Sequence, residues 1–286
     1  MAELIVSQIF TGIVSGLLLV LVALGLTLIF GFMNVVNFAH GAFFTVGAYT
    51  GLVVLRATGS FWLGLLVVPL ALGLLGLVVE RWLIRPMYSR SAFDPLLLTF
   101  GLTFVIVETV RIVFGTVGLS FATPPALTGA LNVRGYVFPH YSLFIAGVAI
   151  VLVVLLWLFL ERTDVGLIIR AGTQDSVMAG ALGIDVIRYR TAIFAIGIAI
   201  AGIAGLLSAP RTGLIPDMGT ATIVFAFVVV VIGGLGSYWG AVVSGTLIGV
   251  IISLTALAFP ALSQIIVFVF MALVLLIRPR GLLGTT

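Results

Sequence analysis

Nine apolar windows separated by short polar breaks dominate this sequence. They run near residues 4–30, 38–55, 61–79, 95–114, 141–160, 191–208, 222–233, 240–258 and 262–277. About 20 apolar residues in a helix span a roughly 30 Å hydrocarbon core, and a helix satisfies its own backbone where no water reaches. Charge rarely interrupts the pattern: 13 basic and 9 acidic residues in 286, against about a quarter of residues in an ordinary soluble domain. The expected fold is an all-α polytopic membrane helix bundle of eight or nine spans, one transmembrane domain over 1–286. The window 222–233 is too short to cross alone, so it is expected to be tilted, extended by its flanks, or a re-entrant half-helix.

Arginine supplies every basic residue, and its placement orients the bundle. Arg81, Arg85 and Arg90 fall in the break 80–93, and Arg162, Arg170, Arg188 and Arg190 fall in 161–190. Arg278 and Arg280 lie in the tail, while Arg56, Arg134 and Arg211 belong to the opposite loops. The positive-inside rule puts the larger group in the cytoplasm, and with nine spans it puts the N-terminus outside and the C-terminus inside. The opening MAELIVSQ lacks the basic n-region of a cleavable signal and leads into a run longer than a signal core, so a retained first span is expected. Arginines scattered through loops do not form the stripe that nucleic-acid binding needs.

Enzymatic readings find little footing. There is no cysteine, and His40 and His140 stand a hundred positions apart, too few for a zinc site of the usual kind. No Gly-x-Ser-x-Gly elbow, His-Glu-x-x-His, P-loop or dinucleotide fingerprint occurs, so any nucleotide chemistry is expected from another chain. Glu108 is the one carboxylate well inside an apolar window, and Arg111 one turn on neutralises it at i, i+3. That pairing argues against ion coupling.

The most polar stretch in an apolar context is Gly31 to Ala42, GFMNVVNFAHGA. On one continuous helix Asn34, Asn37 and Gly41 would share a face, with His40 beside them. If the chain breaks near Asn34 to Asn37 and restarts, the new helix start offers free N–H groups and a positive dipole end, as transporters use for substrate carboxylates. The plainer reading is that the asparagines cap the break and His40 packs neutrally. A second flexible region holds Arg211, Pro216 and Asp217, then the glycines 233, 234, 236 and 240. Arg211 and Asp217 are close enough in sequence to pair, though two interfacial charges is the plainer reading. Small residues spaced by four (Gly12 and Gly16; Gly197, Ala201 and Gly205; Ala241, Gly245 and Gly249) favour tight packing inside the bundle over a dimer seam.

The two long breaks differ. Residues 115–140 are rich in Gly, Pro and Thr and read as an irregular loop, whereas 161–190 carries charge and helical periodicity. In the latter, Thr173 can cap a two- to three-turn helix with Asp175 in its first turn and Gly183 ending it in the left-handed conformation. Such a helix suits a groove on a partner; lying on lipid is less favoured because its face is not strongly apolar.

Together, the stretch from Gly31 through Tyr49, the inner-loop pattern Thr163-Asp164-x-Gly166 to Arg170-Ala171 and on to Leu182-Gly183-Ile184, the glycines 233–240 and the terminal Arg278-Pro279-x-Gly281 resemble the H-type permease subunit of the branched-chain amino acid ABC importers. The resemblance covers nearly the whole chain. It implies a bacterial inner-membrane half-pore paired with an M-type permease, two cytoplasmic ATPases that carry the ATP and magnesium, and a periplasmic solute-binding protein. The loop 161–190 is then the coupling element, with Arg170, Thr173, Asp175, Ala179, Gly180 and Gly183 as coupling residues and no cofactor bound by this chain. Asn34, Asn37, His40 and Gly41 are the expected solute pathway. The rival readings are a urea or short-amide permease of the same build, a stand-alone secondary carrier or channel, and an intramembrane enzyme.

Overall fold

A computed structural model of the chain describes residues 2–91, 93–133 and 135–284. Arg134, expected on the sparsely charged side, lies outside the described residues. Among them are eleven α-helices: α1 (Ala2–Met33), α2 (His40–Thr58), α3 (Phe61–Val79), α4 (Phe93–Phe114), α5 (His140–Arg162), α6 (Asp164–Gln174), α7 (Ser176–Ala181), α8 (Val186–Thr212), α9 (Met218–Gly233), α10 (Tyr238–Ala258) and α11 (Ile266–Ile277). Seven, namely α1 to α5, α8 and α10, are long and apolar enough to cross a membrane. The chain is a multi-pass membrane protein. All nine apolar windows became helices, but two are short: α9 has 16 residues and α11 has 12. At 1.5 Å per residue they reach about 24 and 18 Å, less than a bilayer core.

The loop 115–140 departs from its irregular reading. It contains an antiparallel hairpin of β1 (Ala130–Val133) and β2 (Tyr136–Pro139). Gly135, at φ 89°, supplies the turn, and its N–H donates to Asn132 Oδ1 at 3.1 Å. Phe138 of the hairpin meets Phe10 of α1 edge-on, with ring centroids 4.9 Å apart. This defines a hairpin end of the bundle, where α1 begins. At the opposite end the Phe32 ring of α1 packs on Gly172 of α6. The nine arginines grouped on one side by sequence all gather at that second end, and Arg56 and Arg211 lie at the hairpin end.

Two breaks organise the interior. The first is residues 34–39, between α1 and α2. Asn34 stops α1 in the left-handed conformation at φ 53°, its N–H donating to Phe30 O at 2.8 Å, a role asparagine tolerates better than most residues. The chain then climbs back into the bundle, so that His40 at the start of α2 reaches Val22 O, eleven residues short of the end of α1. Irregular backbone at that depth needs partners. Thr99 of α4 provides them: its hydroxyl accepts from Phe38 N–H at 3.2 Å and lies 3.3 Å from Val36 O. The second break, residues 213–217, separates α8 from the short α9, and Leu214 is clipped to Leu119 by a pair of backbone hydrogen bonds of 2.9 Å each.

The packing is repeated with inverted direction. If α1 to α4 are matched to α8 to α11, then α1 on α10 corresponds to α8 on α3, α2 on α8 to α9 on α1, α2 on α3 to α9 on α10, and α2 on α4 to α9 on α11. Each half is one long helix, a break, a helix that starts inside the bundle, and two more. The four-spaced small residues serve this internal packing: a Cβ on Gly12 would sit 2.7 Å from Val250 Cα, and one on Gly16 equally close to Gly245 O.

Candidate functional site

The starts of α2 and α9 meet in the middle of the bundle. Gly41 and Gly219 touch backbone to backbone, each leaving no room for a Cβ on the other. Neither helix has a side-chain cap from its own N-cap residue. Instead Thr45 of α2 accepts the Gly219 N–H at 3.0 Å, so one half of the molecule caps the other. Two positive helix ends thus converge near the centre.

Sequence reasoning grouped Asn34, Asn37, His40 and Gly41, and the structure separates their tasks. The single-helix face does not form, because the chain breaks. Asn34 is exposed and ends α1. Asn37 is fully buried, and neither amide atom has a partner. His40 is also fully buried; its Nε2–H donates to Val22 O at 3.1 Å, leaving Nδ1 without a partner. The His40 ring lies against Gly25, at the close crossing of α1 and α8. Gly41 makes the contact with Gly219 just described.

The inner segment is likewise corrected in detail. It forms two helices, not one, because Asp175 leaves the helical region at φ −152° and divides α6 from α7. Thr173 sits in the last turn of α6 with its hydroxyl on Ile169 O and caps nothing. Thr163 caps α6, accepting from Gly166 N at 3.0 Å, and Asp175 is the cap of α7, with Oδ1 accepting from Val177 and Met178 N–H at 2.9 and 2.8 Å. Gly183 does follow α7 in the left-handed region, at φ 85°. Arg170 pairs with Glu161 at 3.2 Å and donates to Leu160 O, so it ties α6 to α5. Arg170 and Thr173 both line a cavity of about 330 Å³, together with Trp157 and Trp239. Ala179 is buried, whereas Gly180 is exposed with open space beside it. The outward face of α7 and the residue that ends it are more apolar than the composition suggested: Val177, Met178 and the C-cap Leu182 are 81, 58 and 75% exposed.

One polar assembly escaped the sequence reading and a second was read only in part. Glu80, placed there in a loop, is fully buried at the end of α3. It accepts from Arg85 at 3.1 Å, Tyr88 at 2.8 Å and Thr191 of α8 at 2.7 Å, while Arg190 lies over the Tyr88 ring. A π-helical turn over Glu80–Ile84 brings residues five apart onto one face, so the Glu-x4-Arg spacing was the available signal. Burial and the adjacent Glu80 carboxylate push the Tyr88 phenol above its ordinary range. The second assembly is at the hairpin end. Arg111 binds Glu108 at 2.5 Å, as its spacing implied, and also binds Asp217 at 2.6 Å. Asp217 therefore belongs to Arg111, and Arg211 donates among the described residues to the Ser15 hydroxyl alone, at 3.2 Å. Among the described residues no cluster of three His, Asp or Glu side chains is close enough to hold a metal ion.

A multi-pass bundle with two helices starting in its interior, arranged as inverted halves, has the build of a solute permease. The family model described as branched-chain amino acid transport system, permease component, matches residues 8–275, and the chain belongs to that family. It is 29% identical to the high-affinity branched-chain amino acid transport system permease protein BraD of Pseudomonas aeruginosa, covering 97% of this chain and 95% of that one. It is 30% identical to a probable permease protein of the same transport class, LivH, of Methanocaldococcus jannaschii, covering 93% and 89%. Against the LivM permease protein of Escherichia coli the identity is 27%, covering 93% of this chain and 68% of that one. The fuller coverage of LivH-type relatives marks the chain as H-type.

Proposed function

We propose that this chain forms one half of the pore of an ATP-driven, binding-protein-dependent importer of branched-chain amino acids in a bacterial inner membrane. The match to the permease family from residue 8 to residue 275 carries the reading. An M-type permease supplies the other half of the pore. Two cytoplasmic ATPases hold the ATP and magnesium, and a periplasmic binding protein delivers the solute. The arginine-rich end then faces the cytoplasm. The capped α7, with its exposed Val177, Met178 and Leu182, supports a role as the element that enters a groove on an ATPase. Asn37, His40 and Gly41, beside the converging helix starts, form the wall that moves during alternating access, with Asn34 at its inner edge. ATP must bind the two states with different affinity to drive that switch.

The test is uptake by proteoliposomes holding this chain with its copurifying partners, with and without internal ATP and binding protein, across leucine, alanine, glutamate and urea. Leucine uptake that needs both ATP and binding protein is the expected result. Uptake by this chain alone would establish a stand-alone carrier, and preference for urea would move it to the amide branch.

A further inference from the structure

A groove of about 290 Å³ opens between α1, α2, α8 and α9 near the hairpin end. Its volume is at the small end of the range for small-molecule sites. Four hydroxyls line it, from Ser15, Ser208, Thr212 and Thr222, and Phe44 with Leu18 supplies an apolar wall. Arg211 is its one charged residue. Phe44 and Thr222 each stand four residues past the first residue of their helices, α2 and α9, so the groove borders the point where the two interior helix starts converge. Two guanidinium groups at the hairpin end contrast. Arg111 is shared by Glu108 and Asp217, whereas Arg211 has no carboxylate partner among the described residues and is steadied by the neutral Ser15 hydroxyl. A guanidinium held in place with its charge unmatched is built to take a carboxylate through two parallel hydrogen bonds.

Resting on the reading of this chain as an amino acid permease, we propose that Arg211 receives the α-carboxylate of the transported solute as it enters the pore. The hydroxyls accept from its ammonium group, and Phe44 with Leu18 contacts its aliphatic side chain. The other anions that could seek Arg211 are an acidic residue of the binding protein and a lipid phosphate. A groove walled by four helices and lined by both hydroxyls and apolar carbon fits a small zwitterion better than either.

The experiment measures leucine uptake by the reconstituted full complex at a series of binding-protein concentrations, for wild type, Arg211→Gln, Arg211→Lys and, as a control at the same end, Arg56→Gln. Arg211→Gln is expected to lower the maximal rate by about tenfold or more, as loss of a charged hydrogen-bonding partner does. The binding-protein concentration giving half-maximal uptake should stay within about twofold, Arg211→Lys should recover part of the rate, and Arg56→Gln should match wild type. If Arg211→Gln fails to copurify with its partners, Thr222→Val takes its place, with a smaller loss of maximal rate expected at an unchanged half-maximal binding-protein concentration, and a wild-type rate there would overturn the proposal. A defect overcome by excess binding protein would reassign Arg211 to docking. An equal loss in Arg56→Gln would reduce the effect to the general field of the pore mouth, and a defect that changed with lipid headgroup would assign the site to lipid. A wild-type rate in Arg211→Gln would overturn the proposal with the permease reading intact, whereas no amino acid uptake by wild type would overturn that reading first.

Discussion

Burying an amide with nothing to bond costs about 1–3 kcal/mol, and Asn37 is fully buried with both amide atoms unpartnered. A residue retained for packing alone would do better as leucine. Asn37→Leu is therefore expected to leave the melting temperature of the purified complex unchanged or raised while lowering uptake severalfold; normal uptake would remove Asn37 from the pathway. Glu80 presents the reverse case. Its carboxylate holds Arg85, Tyr88 and Thr191 together, so Glu80→Ala leaves three half-buried donors short of their acceptor and should destabilise by about 1–3 kcal/mol. Glu80→Gln keeps an acceptor and should cost clearly less, as thermal unfolding in detergent can compare. The sequence made Asn37 conspicuous as an amide in an apolar run. It left Glu80 hidden, because a carboxylate beside arginines reads as a solvated loop until a π-turn and α8 enclose it.

At the scale of the element, α7 is six residues long and too short to persist by propensity, since helix nucleation is unfavourable. Asp175 capping its first N–H groups and Gly183 past its end define it. Asp175→Ala should cost about 1 kcal/mol of local stability, seen as faster amide exchange over 176–182. Leu182→Asp leaves the fold alone, since the side chain is 75% exposed. It should sharply reduce copurification of the ATPases if α7 docks in their groove, and full copurification would count against that role. The sequence announced a capped helix here but misassigned its cap. Thr173, Asp175 and Ser176 all have the right chemistry, and only the backbone at Asp175 decides which one stops α6 and starts α7.

For the molecule as a whole, the two inverted halves meet at Gly41 and Gly219, where carbonyl and α-carbon lie in contact. Gly219→Val must force them apart, and the expected result is loss of monodisperse protein on size-exclusion chromatography. The halves are also joined by Arg111 of α4 and Asp217 before α9. That pair is a third to a half exposed, so water screens it, and the neutral Arg111→Gln should leave the melting temperature in detergent close to wild type. The sequence by itself determined that the chain lives in lipid, where its nine apolar segments fall, and which end gathers the arginines, because hydrocarbon imposes helix length and excludes charge whatever the packing. Only the tertiary structure decided that α2 and α9 start inside the bundle, that Asp217 takes Arg111 and leaves Arg211 open, and that Glu80 is sealed. These depend on which surfaces meet, and residues far apart in the chain carry no local sign that they will touch.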